Sequence, residues 1–318
     1  MVHINSASLI KKRVNMKCFI AIPTYNGGQI WHSAVNSIKK NAPANTLVHV
    51  IDSGSKDDTV SIAKEAKFDV ISIASNDFNH GATRNMAIKK YVKEYDIVVF
   101  LTQDAIPEPN FINTIINVFS DENIACAYGR QLPHEDANPL ARHARGFSYP
   151  DKSHICDASD IPRMGIKTVF MSNSFSAYRL SVFEELNGFP SNTILCEDMY
   201  FTAKAVLAGY KVAYVSEARV RHSHNYTPKE EFKRYFDIGV FHEMEPWIRE
   251  ATGGAGGEGK KFIISEFKFL INNAPLWIPI AFINNFMKIL GYKLGLRFKI
   301  LPKKFVKSLS MHKRYWDK

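Results

Sequence analysis

The chain has 318 residues, 46% hydrophobic and 23% charged, with 17 Gly and 14 Pro. These proportions exclude a disordered, collagen-like or low-complexity protein and suit one large α/β domain with an appendage, or two modest domains. The formal charge of +10 is unevenly placed: residues 259–318 hold 13 Lys/Arg against two acids, the first 258 residues hold 28 basic and 29 acidic, and a polyanion is therefore expected to meet the tail.

Cys18–Pro23 is an apolar run ending in Pro-Thr-Tyr-Asn-Gly-Gly, a strand opening into a loop. Helical spacing follows over Ile30–Lys40. Leu47–Asp52 is a second strand closed by Ser-Gly-Ser, and Asp58–Lys67 a helix with Asp57 or Asp58 near its N-cap. Val70–Ile73 is a third strand, Gly81–Lys93 a helix, and Ile97–Leu101 a fully apolar fourth strand. Helices between continuous apolar strands require right-handed crossovers and a buried parallel sheet. Ligands of such a sheet lie beyond the carboxyl ends of its strands, which singles out the loops starting at Pro23, Asp52, Ala74 and Thr102. Pro107 and Pro109 open a helix through about Phe119, and Ile124–Arg130 is a strand. Residues 131–167 carry turn formers and charges with little periodicity and are expected as a long surface insertion on the acceptor side. Val169–Tyr178 is apolar and small. Short helices are predicted over Ser181–Leu186 and Asp198–Leu207, then strands over Lys211–Val215 and Ala218–His222. After Asn225 the pattern changes: a Gly-rich hinge at 252–259 precedes aromatic-rich amphipathic helices. The expected division is a catalytic domain over 1–225 and a basic helical region over 226–318. Four cysteines (Cys18, Cys126, Cys156, Cys196) without a CxxC pair read as a reduced, cytosolic chain without a zinc site, and the polar Met1–Lys17 segment does not read as a secretory leader.

Five clusters can carry chemistry. In Thr102-Gln103-Asp104, at the end of the fourth strand, Asp104 is a hard oxygen ligand suited to Mg²⁺ or Mn²⁺ bridging a diphosphate, or a cap for the following helix. Asp52 with Ser53-Gly54-Ser55 can accept a pyrimidine N–H or a ribose hydroxyl, or simply make a turn. In Asn79-His80-Gly81-Ala82-Thr83-Arg84-Asn85, Gly81 permits close backbone approach, the helix start favours an anion, and Arg84 can pair with phosphate or a base; His80 contacts a sugar hydroxyl or caps the turn. Glu197-Asp198 opens a helix, where acids suit the dipole and one of them can act as general base. His222-Ser223-His224 places two rings on one face for metal or phosphate contact, with one of them structural.

Together these motifs resemble the family 2 nucleotide-sugar glycosyltransferases over about residues 17–225. The resemblance rests on Ala21-Ile22-Pro23-Thr24-Tyr25-Asn26, on Val50-Ile51-Asp52-Ser53-Gly54-Ser55, and on Cys196-Glu197-Asp198 before a helix ending in Ala208-Gly209-Tyr210-Lys211-Val212. Residues 77–85, Leu101–Ala105, His222–Tyr226, Tyr235–Val240 and the basic end Leu309–Lys313 look like the bacterial rhamnosyltransferases of surface-polysaccharide (O-antigen type) assembly. The resemblance implies an α/β fold of GT-A type, Rossmann-like, with a mostly parallel central sheet flanked by helices and here a C-terminal helical, basic extension. It implies an inverting transfer, with Asp198 as base and Glu197 its neighbour. Thr24 and Asp52 would hold the nucleoside, and His80, Arg84, Gln103 and Asp104 the rest of the donor. Asp104, His222 and His224 would form the metal set for Mg²⁺ or Mn²⁺. The implied partners are dTDP-rhamnose and a lipid-linked saccharide acceptor, with another UDP- or GDP-sugar as the alternative donor. Thr102 stands where the family usually carries the first Asp of its metal motif, and a single carboxylate implies weak metal affinity without nucleotide phosphates.

Two other classes make different demands. A nucleotidyltransferase would carry a basic, Gly-rich loop after the first strand, and Thr-Tyr-Asn-Gly-Gly has no Lys or Arg nearby. A non-catalytic nucleotide- or polyanion-binding protein would interleave basic and aromatic residues across a folded surface, and the near-neutral body argues against nucleic acid. In the tail, 19 uncharged residues separate Lys268 from Lys288, close to the ~20 of a spanning helix. Asn272, Asn273, Asn284, Asn285, Pro275 and Pro279 instead suit a surface-lying amphipathic pair with Phe267, Leu276, Trp277, Phe282 and Phe286 on its apolar side. Residues 260–318 are expected to hold the protein on the anionic inner face of the cell membrane; packing on the catalytic domain, or a homodimer through the C-terminal helices, is the alternative use of these faces.

Overall fold

The computed structural model describes residues 16–253 and 257–317. The alternation read from the first hundred residues becomes β1 (Cys18–Thr24), α1 (Gly28–Asn41), β2 (Val48–Asp52), α2 (Thr59–Glu65), β3 (Asp69–Ser72), α3 (His80–Tyr91) and β4 (Ile97–Leu101). α1 buries Trp31, Ala34, Val35 and Ile38, one stripe at helical spacing. β4 is buried at every position, as a strand covered on both faces must be. These four strands pair in parallel in the order β3-β2-β1-β4, so the loops after Thr24, Asp52 and Leu101 open at one edge.

The sheet continues to nine strands with β5 (Ile106–Pro107), β6 (Ile124–Leu132), β7 (His154–Cys156), β8 (Phe175–Arg179) and β9 (Lys211–Arg221), in the order β3-β2-β1-β4-β8-β6-β9-β5 with β7 also on β9. β8 runs antiparallel between β4 and β6, while β6 and β9 are parallel. Pro107 sits in the terminal strand β5, where its missing N–H costs no ladder bond, so the helix expected from Pro107 starts only at Phe111, as α4 (Phe111–Ile116). The two strands predicted over 211–222 are one strand. Its register jumps between Gly129↔Val215 and Arg130↔Arg219, a bulge over the very residues that interrupt the sequence pattern.

Residues 131–167 are more ordered than a surface insertion. They contain α5 (Pro139–Ser148), capped by Asn138 with Pro139 in its first turn, then β7 and the short α6 (Ile161–Met164). Tyr149 and Cys156 are buried in the main core. The buried face of α5 is only Leu140, Ala141 and His143, and it packs on a C-terminal helix more than on the sheet, so its period was faint in sequence.

α7 (Leu180–Glu185) and α8 (Glu197–Leu207) complete the sheet's covering. The C-terminal region adds α9 (Pro228–Met244), α10 (Pro246–Thr252), α11 (Glu258–Asn273), α12 (Ile278–Gly295) and α13 (Lys303–Leu309). Of the predicted hinge, residues 252–253 and 257–259 belong to the ends of α10 and α11, and residues 254–256 lie outside the described residues. α9 starts with a reciprocal capping box between Thr227 and Glu230. It meets α12 at backbone distance: a Cβ on Gly295 would lie 2.1 Å from the Phe236 carbonyl, and one on Gly291 2.3 Å from that of Phe232. Gly295→Val should therefore push the helices apart and cost about 1–3 kcal/mol. Thermal denaturation checks this; an unchanged melting temperature would contradict the close contact.

α12 is inverted relative to an ordinary surface helix. It buries Ala281, Asn284, Asn285, Gly291 and Gly295 and exposes Phe282 (60%) and Phe286 (62%) along with Ile283 and Ile289. Leu276, just before it, is 89% exposed. Lys260, Lys261 and Lys268 of α11 and Lys293 of α12 are carried by the same two helices. No helix among the described residues is long and apolar enough to cross a membrane.

Candidate active site

A cavity of about 970 Å³ opens at the carboxyl edge of β1, β2 and β4, and residues on both sides of position 225 line it. Asp52 is buried (1% exposed) at the end of β2. Its carboxylate accepts the Thr24 hydroxyl (3.1 Å) and the N–H groups of Gly54 (3.0 Å) and Ser55 (2.9 Å). Thr24 and Ser53 line the cavity, whereas Asp52 sits behind them and fixes the turn. Gln103 ties the loop after β4 to the loop after β1: it accepts from Tyr25 N (2.8 Å) and donates to Tyr25 O (3.2 Å). The C-terminal tail reaches this end of the cavity. Arg314 lies 5.0 Å from the centre of the Tyr25 ring, donates to its hydroxyl at 3.1 Å, and lowers the Tyr25 pKa. Asp237 of α9 anchors the tail by accepting Met311 N (2.9 Å) and His312 N (3.0 Å).

At the start of α3 the N–H groups of Gly81, Ala82 and Thr83 are already bonded to Asn79. Asn79 Oδ1 accepts from Gly81 N (3.1 Å) and Ala82 N (3.0 Å), and Gly81 makes room for the Pro190 carbonyl, which would lie 1.9 Å from a Cβ there. The close approach that Gly81 serves is thus a backbone contact, not an anion site. His80 stands edge-on to the tail's His312, ring centres 4.8 Å apart. Burial holds His80 below the ordinary imidazole pKa and, with the His80 charge, takes His312 down to about 3, so both are neutral near pH 7. Arg84 lines the cavity, and its Nη1 is engaged with Glu197 Oε1 (3.1 Å) and the His80 carbonyl (3.0 Å).

Glu197 and Asp198 open α8 behind Cys196, whose φ of 59° turns the chain sharply into the helix. The buried Glu197 also accepts from Asn173 Nδ2 (2.8 Å). Burial pushes its pKa up, but Arg84, His80 and Asn173 outweigh burial and keep it ionised. Asp198 lines the cavity and accepts Asn173 N (3.1 Å) and Met199 N (2.8 Å). Burial first, then the Glu197 charge, raises its pKa well above the ordinary carboxylate range. Adjacent acids pushed in opposite directions make one a fixed anion and the other a proton acceptor near neutrality.

Across the cavity, Asp104 Oδ2 lies 3.4 Å from His222 Nε2 and 3.7 Å from His224 Nε2, and one ligand atom from each of the three falls within 4.8 Å of the others. Burial works to raise the Asp104 pKa, but His222 and His224 override it and hold the group well below the carboxylate range. Burial, then the His222 charge, takes His224 down to about 4, so its ring is neutral near pH 7. Gln131 Oε1 sits 2.8 Å from His222 Nδ1. The Gln131 amide is oriented by Arg145, which donates to Oε1 at 2.5 Å, and by donation from its Nε2 to Ser172 Oγ at 2.8 Å. His222 Nδ1 therefore donates to Gln131, and Nε2 is the nitrogen that faces Asp104. This donor set fits a divalent cation with one carboxylate and two imidazoles. The structure thus brings Asp104, His222, His224 and Asp198 to one cavity with Thr24, Gln103, His80 and Arg84. Sequence reading missed Asn173, which lies between two serines, and Gln131, which follows Arg130, because neither offered a spacing signal; it took His312 only as part of the basic end Leu309–Lys313 and Arg314 only as tail charge, neither as a site residue.

The glycosyl transferase family 2 model matches residues 19–187. The chain is 55% identical to the O-antigen chain rhamnosyltransferase RfbN of Salmonella typhimurium, covering 95% of this chain and 96% of the relative. It is 52% identical to the O-antigen chain rhamnosyltransferase WbaN of Salmonella anatum, covering 94% and 95%. Among solved structures, the mannosyltransferase PcManGT of Pyrobaculum calidifontis in complex with GDP-Man and Mn²⁺ matches with a TM-score of 0.56 at 16% identity, covering 95% of this chain and 85% of that one; the likeness is one of GT-A fold. The chain is a family 2 glycosyltransferase and belongs with the O-antigen chain rhamnosyltransferases that it matches along nearly its whole length.

Proposed function

We propose that this glycosyltransferase moves L-rhamnose from dTDP-rhamnose to a hydroxyl of a lipid-linked saccharide in bacterial surface-polysaccharide synthesis, in one displacement that inverts the anomeric configuration. The observation that carries the reading is the pairing, in one cavity, of a raised-pKa Asp198 with the Asp104–His222–His224 set. The names of the two Salmonella relatives support the sugar and the polysaccharide. Asp198 takes the proton of the acceptor hydroxyl as that oxygen bonds to the anomeric carbon. The bond from that carbon to the diphosphate breaks, and its electron pair leaves with the nucleoside diphosphate. The N–H bonds from Asn173 and Met199 aim the Asp198 carboxylate and leave further acceptor positions for this proton. Glu197 holds the charge of Arg84 and keeps Asp198 basic. Asp104, His222 and His224 would hold Mg²⁺ or Mn²⁺, which when bound offsets the diphosphate charge.

Thermal shift with dTDP-rhamnose, UDP-sugars and GDP-sugars, each with and without Mg²⁺ or Mn²⁺, tests the donor. The largest stabilisation is expected from dTDP-rhamnose with cation. Stabilisation by a UDP- or GDP-sugar alone would reassign the donor, and no stabilisation by any would remove the donor site.

The inverted exposure of α12 supports a cytoplasmic enzyme held peripherally on the anionic inner face of the membrane, where a lipid-linked acceptor resides. Burying a Phe side chain is worth ~1.5–3 kcal/mol. The Phe282→Glu/Phe286→Glu variant should lose at least ~10-fold in affinity for anionic phospholipid vesicles while transferring normally to a soluble acceptor analogue. Unchanged vesicle sedimentation would count against this face; a wild-type dimer that the variant dissolves would assign it to a second copy of the chain.

A further inference from the structure

Of the four arginines lining the cavity, Arg84 pairs with Glu197 and Arg314 donates to Ser75 and Tyr25, whereas Arg145 of α5, which orients Gln131, and Arg234 of α9 have no direct part in the transfer. Among the described residues the arginines that pair with carboxylates are Arg84, Arg163, Arg219 and Arg221; Arg145 and Arg234 make no such pair. Arg145 Nε is buried without a hydrogen-bond partner. A guanidinium held without a counter-ion in a partly desolvated pocket is unfavourable unless a ligand supplies the anion.

Each arginine reaches the Asp104–His222–His224 set through one side chain. Gln131 Oε1 joins Arg145 (2.5 Å) to His222 (2.8 Å), and the Tyr149 ring lies 5.5 Å from the Arg145 guanidinium. On the other side the Tyr226 ring packs on His224 (centres 4.9 Å apart) and lies 5.8 Å from the Arg234 guanidinium. Both arginines come from outside the parallel half of the sheet, one from the 131–167 segment and one from the C-terminal region.

We propose that Arg145 and Arg234 clamp the donor's diphosphate beside this set and hold the charge that departs with it. The inference rests on the transferase reading above. A divalent cation with one carboxylate leaves a single net positive charge, against a donor diphosphate carrying two negative charges. When the bond to the anomeric carbon breaks, its electron pair stays on the departing phosphate oxygen and adds a third. Thr102, in place of a second carboxylate, avoids further negative charge, and two fixed guanidiniums supply the remaining balance. Their planar N–H forks match phosphate oxygens, and their attraction grows as the leaving group gains charge.

Calorimetric titration of the full chain with dTDP and with dTMP, in Mg²⁺ and in EDTA, tests the clamp. Charge-assisted hydrogen bonds of this kind imply a loss of ~10-fold or more in dTDP affinity for Arg234→Ala and for Arg145→Ala, with a smaller loss for dTMP. The loss should persist in EDTA, because the arginines act on phosphate and not through the cation. Arg145 also steadies Gln131, so Arg234→Ala is the cleaner variant and Arg234→Lys should recover part of the affinity. Wild-type dTDP affinity retained in both alanine variants, with a raised acceptor KM, would overturn the clamp and place the pair on an anionic acceptor. A loss confined to Mg²⁺ would also overturn it. A wild-type chain that binds no nucleoside diphosphate would instead overturn the transferase reading, and the clamp with it.

Discussion

Asp198→Asn is expected to lower kcat by ~10²–10⁴-fold while leaving dTDP-rhamnose affinity within a few-fold of wild type. The asparagine keeps the size of the side chain and its carbonyl can still accept one of the two N–H bonds from Asn173 and Met199, but it cannot take a proton. Donor affinity that collapses together with the rate would place Asp198 in donor binding and remove it from the base role. The pH profile gives a second reading. Burial and the Glu197 charge raise the Asp198 pKa, so the unprotonated base is present above that raised pKa and is lost as pH falls through it. The acid limb of kcat/KM should therefore lie well above the ordinary carboxylate range. Glu197→Gln removes the repelling charge and should move that limb to lower pH. An unmoved limb would mean that another group sets it.

The second large effect is on stability. Arg84→Met should cost about 3–5 kcal/mol, because it leaves the buried Glu197 carboxylate without its cation. The double variant Arg84→Met/Glu197→Gln should recover most of that loss, since neither charge remains. Denaturant melts of the three proteins measure this directly. If Arg84→Met melts like wild type and only nucleotide affinity falls, Arg84 belongs to the donor and not to Glu197.

That pair shows where sequence reasoning runs out. Arg84 and Glu197 were each legible as residues at a helix start, and each was given a separate task. Nothing in their spacing says that α3 and α8 pack so that the two meet at 3.1 Å. Asp104 and the two histidines were joined as a set only by the family resemblance; the residues themselves showed a carboxylate at a strand end and a His-x-His step that returns to the same face. The parallel core was legible because β1, β2 and β4 are near-continuous apolar runs. Residues 131–167 were not, because α5 presents only a narrow buried face and packs against a C-terminal helix, α11, more than against the sheet. The tail hid a further layer. Its charge suggested a membrane surface, yet Arg314 and His312 face the cavity, drawn there by the bonds from Asp237 to the tail backbone.

Direct displacement aided by Asp198 makes one demand on the product. NMR of the transferred sugar, made by the purified chain from dTDP-rhamnose and a lipid-linked or soluble acceptor, reads its anomeric configuration. A linkage opposite to that of the donor is expected; a linkage that retains the donor's configuration would contradict a single displacement and with it the role given to Asp198.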